Sequence, residues 1–169
     1  ASSTRFKIGS DPELFLFKDG QVQSAHPYVP GTKDKPYPLR HGAIQLDGIA
    51  LEINIDASSS ADEFEYNTNE VIAQAMAYVP NGYQLRAIPS VFFAEDIFAS
   101  IPETFKELGC NPDFNGWTRE MNPRPDIRKY PTLRTGSGHL HFGFTEKEKV
   151  DDPDYFNDCC AFVQAIDPV

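Results

Sequence analysis

The chain has 169 residues, with 25 acidic against 15 basic side chains, a net charge of −10 and a pI near 4.7. That balance repels polyanions, which excludes nucleic acid and anionic membrane surfaces as main partners, so an anionic substrate would need a local basic patch or a metal ion. Residues 1–169 suit a single domain with a real core; no apolar stretch approaches the roughly 20 residues of a membrane span, and a signal peptide is not apparent, which makes the cytoplasm the expected location.

Residues 6–17 read as a strand interrupted at residues 9–12, and Lys18-Asp19-Gly20-Gln21 as a hairpin turn into residues 22–25. Residues 28–40 carry Pro30, Gly31, Pro36 and Pro38, with Pro27 just before, and read as a loop. Residues 43–46 and 49–55 form either a strand pair around Asp47-Gly48 or one long bulged strand. Ser60-Ala61-Asp62-Glu63 fits a capping box, and Phe64, Val71, Ile72, Ala75, Met76 and Val79 follow at helical spacing until Pro80-Asn81-Gly82 stops the run.

Residues 83–93 resume strand character, residues 102–108 suit a short helix closed by Gly109, and residues 110–133 are proline-rich and irregular before a strand over 139–144. Asp152 and Pro153 suit the start of a last helix whose apolar stripe is Tyr155, Phe156, Cys159, Cys160, Phe162, Val163 and Ile166. Cys110, Cys159 and Cys160 cannot all pair within the chain, so free thiols in a reducing compartment are expected. Hairpin-length and irregular connections favour an α+β fold, with an antiparallel or mixed sheet and helices on one face. The other face is then wet or a site.

Three strings put polar groups at i and i+2 in apolar surroundings. Asp11 and Glu13, Glu52 and Asn54, and His139 and His141 would each project side by side from a strand. Glu52 stands among Ile49, Ala50, Leu51, Ile53 and Ile55, where a carboxylate is costly unless paired or bound to metal. Pooled carboxylates and imidazoles suit divalent cations that carry phosphates, and the acids favour magnesium or manganese over a closed zinc site. Between residues 119 and 134, Arg119, Arg124, Arg128, Lys129 and Arg134 outweigh Glu120 and Asp126, and they lead into the small turn Thr135-Gly136-Ser137-Gly138. Arginine forks beside such a turn suit phosphate oxygens. No serine sits in a nucleophile elbow, no cysteine has an activating motif, and no Walker loop or dinucleotide fingerprint occurs.

Taken in order, Gly9-Ser10-Asp11-Pro12-Glu13-Leu14-Phe15, Gly42-Ala43-Ile44-Gln45-Leu46-Asp47 with Ala50-Leu51-Glu52-Ile53-Asn54, Gly109-Cys110-Asn111-Pro112-Asp113-Phe114-Asn115, and Leu133-Arg134-Thr135-Gly136-Ser137-Gly138-His139-Leu140-His141 resemble the type-two carboxylate-amine ligases of tailed phages, relatives of glutamate-cysteine ligase and glutamine synthetase. The resemblance runs from Phe6 to the last residue. It implies a curved, mainly antiparallel sheet with helices packed behind, the glutamine-synthetase-like catalytic fold. Family members continue with further strands, so the chain is expected to be the front part of such a domain.

Carried over by position, the resemblance implies Asp11, Glu13, Glu52 and His139 as magnesium ligands. It implies Glu52 and Arg134 as catalytic groups, and Arg134, Gly136, Ser137, His139 and His141 as the nucleotide side of the site, with Asn54 in support. The implied cofactors are ATP and Mg2+, with Mn2+ as a substitute, and the implied substrates are a small-molecule or peptide carboxylate and an amine joined as an amide through an acyl phosphate. Two alternatives stand beside this reading: a non-catalytic phage structural module with virion proteins as partners, and a metal-dependent hydrolase.

Overall fold

Strand β1, Phe6–Lys18, is the spine of the fold, because its alternate side chains are apolar on both faces. The computed structural model describes residues 6–108, 112–124, 126, 128–144, 152 and 154–167. Gly109, Cys110, Asn111 and Pro153, all named in the sequence reading, lie outside them. The contacts resolve two units: Ala1–Gly109 with Tyr130–Thr145, and Cys110–Lys129 with Glu146–Val169.

In the first unit, β1 runs straight through the interruption expected at residues 9–12. Gly9 is absorbed as an irregularity, since the ladder to β5 (Ala50–Ser58) shifts register between Ile8 and Ser10. Asp19 and Gly20, at φ 51° and 80°, make the tight turn into β2 (Gln21–Gln23) that the sequence announces. The proline-rich loop contains one short strand that was not expected, β3 (Tyr37–Leu39), which pairs with β4 (Gly42–Asp47). Pro38 is tolerated there because β3 ends the strand order and one of its sides needs no ladder bond. Of the two readings left open for residues 43–55, the strand pair is correct: β4 and β5 form a hairpin with Asp47 opposite Ala50.

The order β2-β1-β5-β4-β3 is completed by β6 (Gln84–Arg86) and β9 (Gly138–Phe144), both on β1. Every strand pairing among the described residues is antiparallel, including the separate pair β7 (Ser90–Phe92) and β8 (Leu133–Thr135). The first unit is thus α+β, a curled, mainly antiparallel sheet with helices.

Helix α1, Ala61–Ala75, starts where the capping box predicts: Ser60 Oγ accepts from the Glu63 N–H at 3.2 Å, while the Glu63 carboxylate accepts from the Ser59 N–H at 2.7 Å. Its buried Val71 and Ala75 join Leu14, Leu16, Ile44, Leu51 and Ile53 in one core. Residues 83–93, expected as one strand region, divide into β6 and β7 in different sheets. The expectation that helices cover one face needs correction. Phe15 and Phe17 alternate with Leu14 and Leu16 and point the other way, into a second cluster with Val22, Ile49, Ala50 and Val91. That cluster is roofed by Ile97 and Phe98 of α2 (Glu95–Ser100) and Phe105 of α3 (Glu103–Lys106). Helix α2 escaped the sequence reading because it is short and has no side-chain cap.

In the second unit, α4 (Tyr155–Ile166) packs on residues 114–116. The Phe114 and Phe156 rings meet edge to face at 5.7 Å, and Gln164 donates to the Gly116 carbonyl at 2.8 Å. The N-cap position is Asp154 rather than Asp152, whose carboxylate instead accepts from the Asp154 N–H at 2.9 Å. Cys159 is exposed, Cys160 is buried, and both are free thiols. No helix among the described residues is long and apolar enough to cross a membrane.

Candidate metal centre

The face of β1 that carries Phe17 and Phe15 continues, two residues at a time, to Glu13 and Asp11. Glu13 stands directly opposite Glu52 in the β1–β5 ladder, and Gln45 stands opposite Glu52 on its other side in β4. Like charges so paired repel, and burial removes the water that would screen them. Asp47, two residues beyond Gln45, brings a third carboxylate to the same face. Oxygens of Glu13, Asp47 and Glu52 lie within 4.8 Å of one another.

Each acid is held by a specific donor. Gln45 Nε2 donates to Glu52 at 2.9 Å, and the Ser137 N–H donates to the Glu13 carboxylate at 2.9 Å, while the Glu13 N–H bonds the Ser137 carbonyl at 2.8 Å. This approach requires Gly136. A Cβ there would lie 2.8 Å from the Phe15 ring and 3.2 Å from the Ile88 carbonyl. Asp47, with its side chain only 5% exposed, takes Lys33 Nζ at 3.3 Å on Oδ1 and leaves Oδ2 with no partner.

The electrostatics follow from this crowding. Burial, helped by the charges of Asp47 and Asp11, pushes the Glu52 carboxyl up to about 8. Burial also raises Glu13, with the Ser137 N–H working against it and Asp47 adding to it. Two carboxyls pushed upward by burial and one buried, unpartnered oxygen on a third are the arrangement a cation would satisfy. An all-carboxylate donor set suits magnesium, manganese or calcium, whose oxygen bonds of about 2.0–2.6 Å are compatible with ligand atoms spread over such a span.

The structure thus joins Glu13 and Glu52 but makes Asp47 their neighbour, whereas Asp11 and His139 were expected there. Asp11 faces His139 in the β1–β9 ladder and pairs instead with the imidazoles, 2.8 Å from His141 Nε2 and 3.8 Å from His139 Nδ1. These three form an adjoining cluster, on an open cavity of about 390 Å³ lined by Asp11, Asn54 and His141 among others. Asn54 Nδ2 is buried there without a partner.

Arg134 requires correction as a phosphate ligand. It is 6% exposed, and its guanidinium donates to the carbonyls of Pro131 (2.9 Å), Leu133 (2.6 Å) and Lys106 while lying over the Phe98 ring at 4.8 Å. Its two terminal nitrogens tie β8 to the end of α3, while Nε is buried without a partner. Within the second unit, Arg128 closes on Asp126 at 2.7 Å and Arg119 donates to Asn157 at 2.9 Å. Gly136 and Ser137 serve Glu13, as described.

The sequence reading missed Asp47, Gln45 and Lys33. An aspartate before Gly48 reads locally as part of the connection between two strands. Yet Gln45 and Asp47 alternate with Ile44 and Leu46 by the same two-residue rule that singled out Glu52. Lys33 carried no local signal, because only the fold of its loop brings it to Asp47. No protein-family model, curated protein or solved structure matches the chain.

Proposed function

We propose that this chain carries the divalent-cation centre of an ATP-dependent carboxylate-amine ligase with a glutamine-synthetase-like catalytic fold. The observation that carries the reading is the convergence of Glu13, Asp47 and Glu52, with one Asp47 oxygen buried and unpartnered. Glu13, Asp47 and Glu52 would hold the ion, and a bound Mg2+ supplies neutralisation of phosphate charge. The chain's own residues fix the ligands. Ser137 orients Glu13, Gln45 orients Glu52, and Phe15 with Ala50 provides a dry flank that strengthens every charge interaction nearby.

In the proposed reaction a substrate carboxylate oxygen attacks the γ-phosphorus of ATP, the bond to the ADP oxygen breaks, and an acyl phosphate forms. An amine then attacks the acyl carbon, phosphate leaves, and the amine proton is lost to solvent, giving an amide. The cavity beside Asp11, Asn54 and His141 is a fitting place for a small polar substrate.

The test is calorimetry of ATP binding with and without Mg2+. Magnesium-dependent binding that Glu13→Gln abolishes supports the reading; no magnesium-dependent binding, or no effect of Glu13→Gln, rejects it. The inward engagement of Arg134 favours a second reading, a cation-stabilised module of phage particles without catalysis, for which the polypeptide would be found in purified virions.

A further inference from the structure

Lys33 sits at the tip of a small, rigid turn. The backbone groups of Thr32 and Lys35 bond each other in both directions, at 3.1 and 3.0 Å, and Thr32 Oγ1 also accepts from the Lys35 N–H at 3.3 Å. The base of the turn is anchored to β4 by the Leu46 N–H donating to the Gly31 carbonyl at 3.3 Å. Gly31 is itself at φ 87°, with no room for a Cβ, which would lie 2.6 Å from both the Ile44 carbonyl and the Tyr37 nitrogen. The backbone under Lys33 is therefore fixed while its long side chain, half in solvent at 51% exposure, reaches 3.3 Å from Asp47 Oδ1.

We infer that Lys33 is a resident counter-ion of the three-carboxylate centre, and that a divalent cation exchanges with its ammonium for Asp47. Three crowded acids coexist only with protons or positive charge among them, and this ammonium is the cation that the geometry delivers to Asp47. The pair is asymmetric in a way that suits exchange. Asp47 is walled in, whereas the Lys33 side chain is half exposed, where an ion pair is weak. A dehydrating cation offers Asp47 twice the charge and takes up the oxygen that the ammonium leaves idle. Lys33, still tethered at the rim, is then available to an anion that approaches the same face.

The inference rests on the cation centre proposed above, and the test separates the two. Mn2+ binding is measured by calorimetry on the full chain and on Lys33→Met, Lys33→Arg and Lys35→Met. Removing the competing charge tightens Mn2+ binding about fivefold in Lys33→Met, the size of a partly exposed ion pair, while Lys33→Arg and the neighbouring Lys35→Met stay near the parent value. The Lys33→Met protein without metal melts at a lower temperature. Parent-like or weaker Mn2+ binding by Lys33→Met overturns the exchange and leaves the centre standing. Failure of the parent chain to bind Mn2+ overturns the centre, and the exchange with it.

Discussion

Glu13 and Glu52 face each other across the β1–β5 ladder, so that two carboxylates share one rung of an antiparallel sheet. In an ordinary sheet such a rung costs stability. Here it is kept beside a third acid and beneath donors that orient rather than neutralise it, Gln45 on one side and the Ser137 N–H on the other. Local strain of this kind has a measurable consequence in each of the following cases.

The first concerns pH. The Glu52 carboxyl is pushed from an ordinary 4.5 to about 8, so between those values the folded chain binds a proton that the unfolded chain has lost. The contribution to stability is therefore fully present below about pH 4.5 and is lost as pH rises through about 8. Thermal melts without divalent cation should show the melting temperature falling between pH 6 and 9, and Mg2+ should restore more of it at pH 9 than at pH 6. Glu52→Gln should flatten both responses.

Asp47 gives the second. Asp47→Asn removes a ligand and a like charge together, so cation affinity should fall by roughly tenfold or more while the metal-free protein keeps or gains stability. Titration calorimetry and urea denaturation read the two effects separately. A loss of stability without loss of affinity would make Asp47 a structural residue.

Much of this architecture was legible from residue order alone. The Asp19-Gly20 turn, the β4–β5 hairpin and the start of α1 follow from local chemistry, namely left-handed backbone at a two-residue turn, alternation, and a serine that caps three residues ahead of a glutamate. Glu13 and Glu52 were legible because each breaks an apolar run. Asp47 was not, since an aspartate before glycine has a sufficient local explanation. Arg134 differs for the opposite reason: its sequence neighbourhood is basic, but the β7–β8 pairing buries it against Phe98. Lys33 and Asp47 are joined only through the turn that Gly31 permits, a contact that no spacing rule reports.

Arg134 supplies the third prediction. Its guanidinium satisfies the Pro131, Leu133 and Lys106 carbonyls, so Arg134→Met should destabilise the fold by roughly 2–4 kcal/mol, seen in urea denaturation. Divalent-cation affinity of the folded fraction should be unchanged, which a metal-ligand role would not allow.

The fourth is steric. Gly136→Ala sets a methyl 2.8 Å from the Phe15 ring, a fully buried side chain with little room to yield. A cost of about 1–3 kcal/mol is expected. Because the displaced turn also carries the Ser137 N–H away from Glu13, cation affinity should weaken in the same variant, measured by Mn2+ titration. Ser137→Ala, which keeps that backbone donor, should do neither.

The two-sided pattern of β1 has one more effect. Leu14 and Leu16 belong to the α1 core, while Phe15 and Phe17 fill the opposite cluster and lead on to Glu13. Sliding this strand by a single residue against its neighbours would exchange the two sets, thrusting carboxylates under α1 and leucines among the acids. The cost of that slip to both hydrophobic layers makes the alignment of the ligands self-checking: a chain that has packed its greasy residues correctly has, by the same act, aimed its acids.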